Sequence, residues 1–221
     1  MTAMSWGHLA ERVSATAGPG RYLLGVAGPP GAGKSTFAAG LRDALNTRAG
    51  EPVAAVAPMD GYHLRNAELR AAGTLARKGE PETFDAAGFV QNLRRLRDTP
   101  VGTPVPWPTF DRGVDEPTPG GIVFTEQRIV IVEGNYLLLD DADGQEWSSV
   151  RKLLDECWYL DADRRLLEKR LLRRHIRGGR TVGAARLKVQ DTDFRNADRI
   201  AATRDRADLV LRGHQGRYYL E

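Results

Sequence analysis

Short apolar runs alternate along this chain with longer stretches in which apolar and polar residues recur at helical spacing. This alternation is typical of an α/β fold, in which a parallel sheet carries helices on both faces. The apolar runs are suited to burial on both sides, as strands of a parallel sheet are. We therefore predict a five-stranded parallel sheet with strands at residues 22–27, 52–57, 128–133, 156–161 and 207–211.

The amphipathic stretches predict the helices that cover this sheet. In the stretch that begins at Asp163, leucines share one side of the helix and basic residues another. Gly178 and Gly179 separate this helix from the last one and indicate a hinge. Helices are expected at about residues 5–15, 34–47, 85–98, 163–176 and 182–204.

Residues 100–121 are rich in proline, glycine and threonine, which predicts a long, partly extended loop. The chain shows no internal repeat and no second set of core elements. Its length of 221 residues suits one large domain. We therefore treat residues 1–221 as a single domain.

Composition and charge narrow the class of protein. Hydrophobic residues make up 41% and charged residues 28%, values near the globular average. The net charge of +3 is too small to require a polyanion, so no nucleic-acid partner is expected. No run approaches the ~18 apolar residues of a membrane span, and the first residues do not resemble a signal peptide. We expect no membrane partner and a cytoplasmic location, and the sequence leaves a homodimer open.

The single cysteine, Cys157, lies in an apolar run and has no partner for an internal disulfide. Buried free cysteines usually pack as small apolar residues. We expect Cys157 in the core rather than as a nucleophile.

The strongest chemical signal is the segment GPPGAGKS at residues 28–35, between the first predicted strand and a predicted helix. It is a complete phosphate-binding loop. Its glycines let backbone N–H groups curve around phosphate oxygens, and the helix N-terminus adds further donors. We expect Lys34 to neutralise the β- and γ-phosphates and Ser35 to offer its hydroxyl to Mg²⁺. The predicted nucleotide-binding residues are Gly28, Gly31, Ala32, Gly33, Lys34, Ser35 and Thr36.

A second acidic signal ends the predicted strand at residues 128–133, where the apolar run RIVIVE stops at Glu133. An acid at such a strand end can hold a metal-bound water or orient the acceptor. We predict Glu133 as a catalytic residue and, with Ser35, as a metal-binding residue. The alternative is a solvated strand end.

Four further segments, MDGYH at 59–63, RKGEPETFD at 77–85, VPWPTFDR at 105–112 and VEG at 132–134, follow in order. With the phosphate-binding loop, they make the chain resemble the P-loop kinases that include uridine kinase, phosphoribulokinase and bacterial type I pantothenate kinase. The resemblance spans nearly the whole chain. It implies the P-loop NTPase fold, ATP and Mg²⁺ as cofactors, and transfer of the γ-phosphate to a hydroxyl of a small metabolite.

The resemblance also implies which loops face the acceptor, at about residues 60–85 and 100–121. The acid after the second strand acts on the acceptor hydroxyl in that family, and Asp60 is the matching residue here. The carboxyl ends of parallel strands open onto one crevice, so Asp60 could reach an acceptor beside the γ-phosphate. The predicted acceptor-binding residues are Asp60, Tyr62, His63, Arg77, Lys78, Trp107, Phe110 and Asp111.

The family has an arginine-bearing lid, and residues 173–183 match it in place and composition. The arginine fork suits phosphate oxygens, and a closing lid excludes water. Lys34, Arg174 and Arg177 are accordingly predicted to act in catalysis with Asp60 and Glu133. The alternative for each lid arginine is a solvated helix end.

The segment at 77–85 departs from pantothenate kinases, because Glu80 replaces an apolar residue and Thr83 and Phe84 stand where serine and tyrosine are usual. The chain is closer to bacterial proteins described as sugar kinases or as nucleoside and nucleotide kinases. The sequence therefore leaves a pantothenate-, nucleoside- or sugar-like acceptor open.

Two other classes compete with a kinase. A regulatory GTPase needs an Asn/Thr-Lys-x-Asp tetrad, which the sequence lacks, although DADG at residues 141–144 resembles a switch motif. The other class is a non-catalytic nucleotide-binding regulatory protein or a nucleic-acid-stimulated ATPase. The basic stretch after Asp163 is its only support, and it lacks the interleaved aromatic residues of a nucleic-acid face.

Overall fold

The computed structural model describes residues 2–140, 146–214 and 217–221. Within these residues the chain forms a seven-stranded sheet and a separate two-stranded hairpin. The segment at 141–144 that resembles a switch motif lies outside the described residues. The strands are β1 (Thr2–Met4), β2 (Tyr22–Ala27), β3 (Ala54–Pro58), β4 (Val105–Asp111), β5 (Glu116–Phe124), β6 (Ile129–Glu133), β7 (Glu156–Asp161), β8 (Leu209–His214) and β9 (Arg217–Leu220).

The large sheet has the order β1-β9-β8-β7-β2-β6-β3. Its five strands from β8 to β3 are parallel and correspond to the five predicted strands. The strand count of five is nevertheless too small, because β9 and β1 add two antiparallel strands at one edge. Both added strands are short and partly exposed, so they lack the continuous apolar run that marks the parallel strands.

Helices cover both faces of the sheet and enclose two apolar cores. One core contains Phe37 and Trp158 and lies under the first two helices, whereas the other contains Phe89, Trp107 and Trp147. The α-helices are α1 (Trp6–Thr16), α2 (Lys34–Ala49), α3 (Asn66–Ala71), α4 (Ala86–Asp98), α5 (Ser148–Leu153), α6 (Arg164–Arg177), α7 (Val182–Lys188) and α8 (Phe194–Ala201). Among the described helices, none is long and apolar enough to cross a membrane.

The long loop predicted at residues 100–121 is instead largely a hairpin of β4 and β5. Its prolines exclude a helix, but an isolated two-stranded ribbon tolerates proline where the ladder needs no N–H. The ribbon packs inward because Trp107 is fully buried and donates from Nε1 to the carbonyl of Pro58 at 3.0 Å. The hairpin is therefore an ordered element that packs beside the end of β3.

The helix predicted at 182–204 is divided by a π-helical turn, Val189–Asp193, between α7 and α8. The turn buries Asp193, whose Oδ2 lies 2.6 Å from His175 Nε2 on α6. A π-turn inside a helix often accompanies a functional region. Here it fixes the helices that follow the Gly178–Gly179 turn against α6.

Cys157 is fully buried on β7, as predicted. Burial raises the pKa of its thiol to about 12, which keeps the thiol protonated. Cys157 is therefore a core residue.

Candidate active site

The phosphate-binding loop joins β2 to α2, and its glycines at both ends allow its shape. Gly28 has φ +146°, and a Cβ there would lie 2.5 Å from the carbonyl oxygen of Leu160. Gly33 caps α2 with φ +102°, in the left-handed region that favours glycine. These constraints leave Ser35 and Thr36 exposed in the first turn of α2, at the helix end that attracts anions.

Lys34 is tethered beneath this loop and is only 7% exposed. Its Nζ donates to the carbonyl of Pro29 at 3.1 Å and to Asn135 Oδ1 at 2.6 Å. Burial lowers the pKa of Lys34 to about 8, and the carboxylates of Glu133 and Asp60 oppose that shift. A bound phosphate would supply the negative charge that a buried ammonium lacks.

Glu133 ends β6 directly opposite the loop. Its Oε1 accepts a hydrogen bond from Ser35 Oγ at 3.1 Å. Burial and, after it, the charge of Asp60 raise the pKa of Glu133 to about 7, although Lys34 opposes both. The hydroxyl and carboxylate oxygens are the hard ligands that Mg²⁺ prefers, with waters and phosphate oxygens completing its coordination. Ser35 and Glu133 therefore fit a magnesium site.

Asp60 lies in the 3₁₀ turn Met59–Tyr62 that follows β3. Its Oδ2 accepts from Arg112 Nη2 at 2.8 Å, and its backbone carbonyl lies 2.8 Å from His63 Nδ1. The His63 ring packs against Phe84 and Phe110, with ring centroids 4.0 and 4.6 Å away. Burial lowers the pKa of His63, which favours a neutral imidazole. Asp60, His63 and Phe110 thus form a shared surface.

The two predicted lid arginines point to different places. Arg174 is near enough to the crevice for the charges of Arg112 and Asp60 to act on its pKa, which burial lowers. Its Nη2 lies 3.8 Å from Asp193 Oδ1. Arg177 instead lines a groove of about 530 Å³ on the outer face of α6. In this arrangement the structure brings Arg174 to the site and leaves Arg177 outside it.

The sequence matches the model of the Phosphoribulokinase / Uridine kinase family over residues 23–215. The chain belongs to this family. The matched range includes the phosphate-binding loop, Asp60, Glu133 and the arginine-bearing helix α6.

Several relatives of this kinase differ in the acceptor that their names describe. A crystal structure from Silicibacter sp. TM1040, provisionally named a fructose transport system kinase, shares 38% identity and a TM-score of 0.83, covering 94% of this chain and 98% of that one. A Schizosaccharomyces pombe protein, provisionally named a uridine kinase, is 37% identical over 72% of this chain and 68% of its own length. The pantothenate kinase of Leifsonia xyli is 33% identical over 70% of this chain but only 46% of its own length.

Several residues that the sequence assigns to the acceptor contact other parts of the kinase instead. Trp107 and Tyr62 lie in the core, where the Tyr62 hydroxyl accepts from Asn92 Nδ2 at 2.7 Å. Asp111 Oδ1 accepts from the backbone N–H of Gly113 at 2.7 Å and stabilises the hairpin turn. Both rings are buried because the hairpin, which carries Trp107, packs on the turn that carries Tyr62.

The two predicted cations of the 77–85 segment are also engaged. Arg77 pairs with Glu80 and Glu82, whereas Lys78 Nζ donates to Asn66 Oδ1 at 2.7 Å and to Asp115 Oδ2 at 3.1 Å. Lys78 also lies 5.0 Å from the centre of the Phe110 ring. These contacts hold the loops together and occupy both cations with protein partners.

Sequence reasoning missed three residues of this site. Asn135 holds Lys34, Arg112 pairs with Asp60, and Arg170 Nη1 donates to the carbonyls of Gly31 and Ala32 at 3.0 and 2.8 Å. Arg112 ends one of the segments that carry the family resemblance, and Asn135 follows Glu133 by two positions. Arg170 gives no local signal, because it is one of many basic residues on α6.

Proposed function

We propose that this protein is an ATP-dependent small-molecule kinase that transfers the γ-phosphate of Mg-ATP to an alcohol hydroxyl of a metabolite. The main observation behind the proposal is that three neighbouring parallel strands, β2, β6 and β3, end side by side at one edge of the sheet. Glu133 pairs in register with Val26 of β2 and Pro58 of β3. The phosphate-binding loop, Glu133 and Asp60 follow from these ends, as expected for a ligand crevice at the carboxyl edge of a sheet.

In the proposed reaction the acceptor hydroxyl oxygen attacks the γ-phosphorus. A new O–P bond forms, the bond from the γ-phosphorus to the bridging oxygen breaks, and ADP leaves. The hydroxyl proton goes to the Asp60 carboxylate, which is the only group we assign to proton transfer. Lys34 and Arg174 offset the charge that develops on the transferred phosphoryl group, so catalysis rests on positioning and electrostatics.

Magnesium would be held by Ser35 and Glu133 and, when bound, would neutralise charge on the nucleotide phosphates. The Ser35–Glu133 hydrogen bond supports this assignment, because it brings two oxygen ligands together at the N-terminus of α2. Arg174 is attached to a helix that precedes the Gly178–Gly179 turn. Movement of this helix over the nucleotide would exclude water that competes with the acceptor.

The acceptor class remains as broad as the names of the relatives, which describe fructose, uridine and pantothenate. A hydroxyl is common to all three. Because the match covers less than half of the Leifsonia pantothenate kinase and Glu80 and Phe84 depart from that enzyme class, a sugar-like or nucleoside-like acceptor is favoured over pantothenate.

The test is ADP release from Mg-ATP with a panel of ketoses, polyols, sugar phosphates, nucleosides and pantothenate. Lys34→Ala serves as the blank, and chelation of Mg²⁺ as a second one. We expect one acceptor class to raise ADP release in the wild type and in neither blank. ADP release that does not depend on any acceptor, or that oligonucleotides stimulate, would contradict the kinase proposal and favour an ATPase.

A further inference from the structure

Arg112 lies at the centre of the crevice although the sequence gives it no assigned role. Its Nη2 donates to Asp60 Oδ2 at 2.8 Å, and its charge acts on Lys34, Glu133 and Arg174. A side chain that touches the proposed base and whose charge acts on the phosphate-binding residues lies within the crevice.

Close packing between the backbone of the Asp60 turn and that of β4 brings Arg112 and Asp60 together. The turn that carries Asp60 packs so tightly on β4 that a Cβ at Gly61 would lie 2.2 Å from the carbonyl oxygen of Pro108. This close approach fixes the base relative to the strand that ends just before Arg112. The pair is therefore a product of the fold rather than a chance contact between two surface side chains.

The tip of the hairpin, residues 111–116, is anchored as well. Lys78 Nζ donates to Asp115, which has φ +56°, and the backbone N–H of Asn66 donates to Glu116 Oε1 at 3.1 Å. Lys78 is itself held in place, because Lys188 Nζ donates to its carbonyl at 3.2 Å. These contacts hold the tip, and with it Arg112, over the acceptor side of the crevice.

Arg112 retains donors for a ligand. A guanidinium has five N–H donors, and the side chain of Arg112 is 61% exposed. Within the described part of the chain, Asp60 is the only carboxylate within ion-pair distance of it. Arg77, Lys78 and Lys34 are committed to protein partners, and Arg174 lies 3.8 Å from the buried carboxylate of Asp193. Arg112 is therefore the cation that the described acceptor side can offer to a substrate.

The pairing also bears on Asp60 as a base. While Arg112 donates to Oδ2, it occupies one of the about four lone-pair sites of the carboxylate and limits the approach of the acceptor hydroxyl to that oxygen. An acceptor with its own phosphate or carboxylate offers Arg112 a second anionic partner and leaves that oxygen accessible, whereas a neutral acceptor does not. Arginine is suited to such an exchange because its fork binds carboxylate and phosphate with similar geometry.

We propose that Arg112 is a specificity-determining residue that binds an anionic group of the acceptor, so that the substrate is a hydroxyl compound with a phosphate or a carboxylate. This inference rests on the proposed kinase function and adds the acceptor's charge to it, so that a sugar phosphate or a sugar acid is favoured over a neutral sugar or nucleoside. It also explains why the pair with Asp60 is exposed enough for the arginine to change partners.

The test compares matched acceptors that differ in charge: fructose with its 1- and 6-phosphates, and glycerol with glycerate. Wild type, Arg112→Gln and Arg42→Gln are assayed for ADP release, Arg42 being an arginine of α2 whose ion-pair partner is its own neighbour Asp43. We expect an anionic member to be preferred by wild type and by Arg42→Gln. Arg112→Gln should lower kcat/KM for that member by at least about tenfold, with KM for ATP unchanged.

Comparison of the fructose phosphates with glycerate identifies whether Arg112 binds a phosphate or a carboxylate. An equal loss on anionic and neutral acceptors would overturn the proposal and assign Arg112 to the transfer step. A wild-type preference for the neutral members would also overturn it.

Calorimetric binding of the same compounds to the protein saturated with Mg²⁺ and a non-hydrolysable ATP analogue separates this inference from the kinase function. If Arg112→Gln weakens binding of an anionic compound at least about tenfold, the role of Arg112 in binding the anion is supported. If wild type transfers no phosphate to that same compound, the proposed kinase function is contradicted. Failure of every anionic compound to bind wild type, or equal binding to Arg112→Gln, would overturn the role of Arg112.

Discussion

The nucleotide side and the acceptor side of the crevice lie at one edge of the sheet, but their backbones are built differently. On the nucleotide side, the backbone that surrounds the phosphates is one continuous segment, residues 28–35, to which Asn135 and Arg170 add side-chain hydrogen bonds from elsewhere in the chain. On the acceptor side, Asp60 pairs with Arg112, 52 residues away, and Trp107 binds the carbonyl of Pro58, 49 residues away. One side is a single continuous loop, and the other is assembled from separate segments.

This difference suggests how each side can fail. The phosphate-binding loop needs its own glycines and the start of α2, which one short segment supplies. The acceptor side needs the hairpin to pack on the turn after β3, so a packing defect far from the chemistry should disturb it first. We expect perturbations of the hairpin to affect acceptor use more than nucleotide binding.

Trp107→Ala should have the largest effect on this comparison. It removes a fully buried indole and its hydrogen bond to Pro58, which should destabilise the protein by about 3–5 kcal/mol. Urea unfolding measures the loss, and binding of an ATP analogue to the remaining folded protein should be nearly unchanged.

Phe110→Ala is the matched control, since this ring is only partly buried beside His63. It should cost roughly 1 kcal/mol and mainly raise the KM of the acceptor. Equal destabilisation by the two variants would contradict the assignment of Trp107 to the core and Phe110 to the crevice.

Arg170→Ala should act on the nucleotide side alone. Its guanidinium donates to two carbonyls of the phosphate-binding loop, and charge-assisted hydrogen bonds of this kind are stronger than neutral ones. We expect the KM for ATP to rise by about five- to tenfold while the KM for the acceptor is unchanged. Arg173→Ala, on the outer face of α6, is the control. A rise in the acceptor KM instead would show that Arg170 acts on the acceptor side, and it would contradict its assignment to the nucleotide side.

His63→Gln should have the smallest effect, and it is visible only as a pH dependence. Burial holds the pKa of His63 below its unfolded value of 6.5. The stability associated with the neutral ring is therefore present above pH 6.5 and is lost as the pH falls through the folded pKa. The melting temperature should fall more between pH 7.5 and pH 5 in wild type than in His63→Gln. An equal fall in the two proteins would contradict a buried, neutral imidazole.

The sequence predicted most of the sheet because the parallel strands are continuous apolar runs with local signals. It missed β1 and β9, which are short and form only through each other and β8. It also read the hairpin as a loop, since the pairing of Val105 with Phe124 is a tertiary contact that proline-rich composition does not reveal. Local patterns thus predicted the parallel strands better than β1, β9 and the hairpin, which depend on tertiary contacts.

The same limit applies to the site. Lys34, Ser35 and Glu133 could be predicted because each belongs to a motif next to a strand or a helix. Arg112 could not, because its role depends on the approach of Gly61 to Pro108. Aromatic residues were the most misleading signal, since Trp107 is as compatible with a core as with a ligand wall until the packing is known.

The most direct test of the account is Asp60→Asn, which keeps the shape of the side chain and an oxygen that can accept from Arg112. Binding of an ATP analogue and single-turnover transfer to an acceptor found in the ADP-release panel are measured on the same preparation. We expect nucleotide affinity within about twofold of wild type and transfer slowed by roughly a hundredfold or more. Transfer at the wild-type rate would contradict Asp60 as the base that joins the two sides of the crevice.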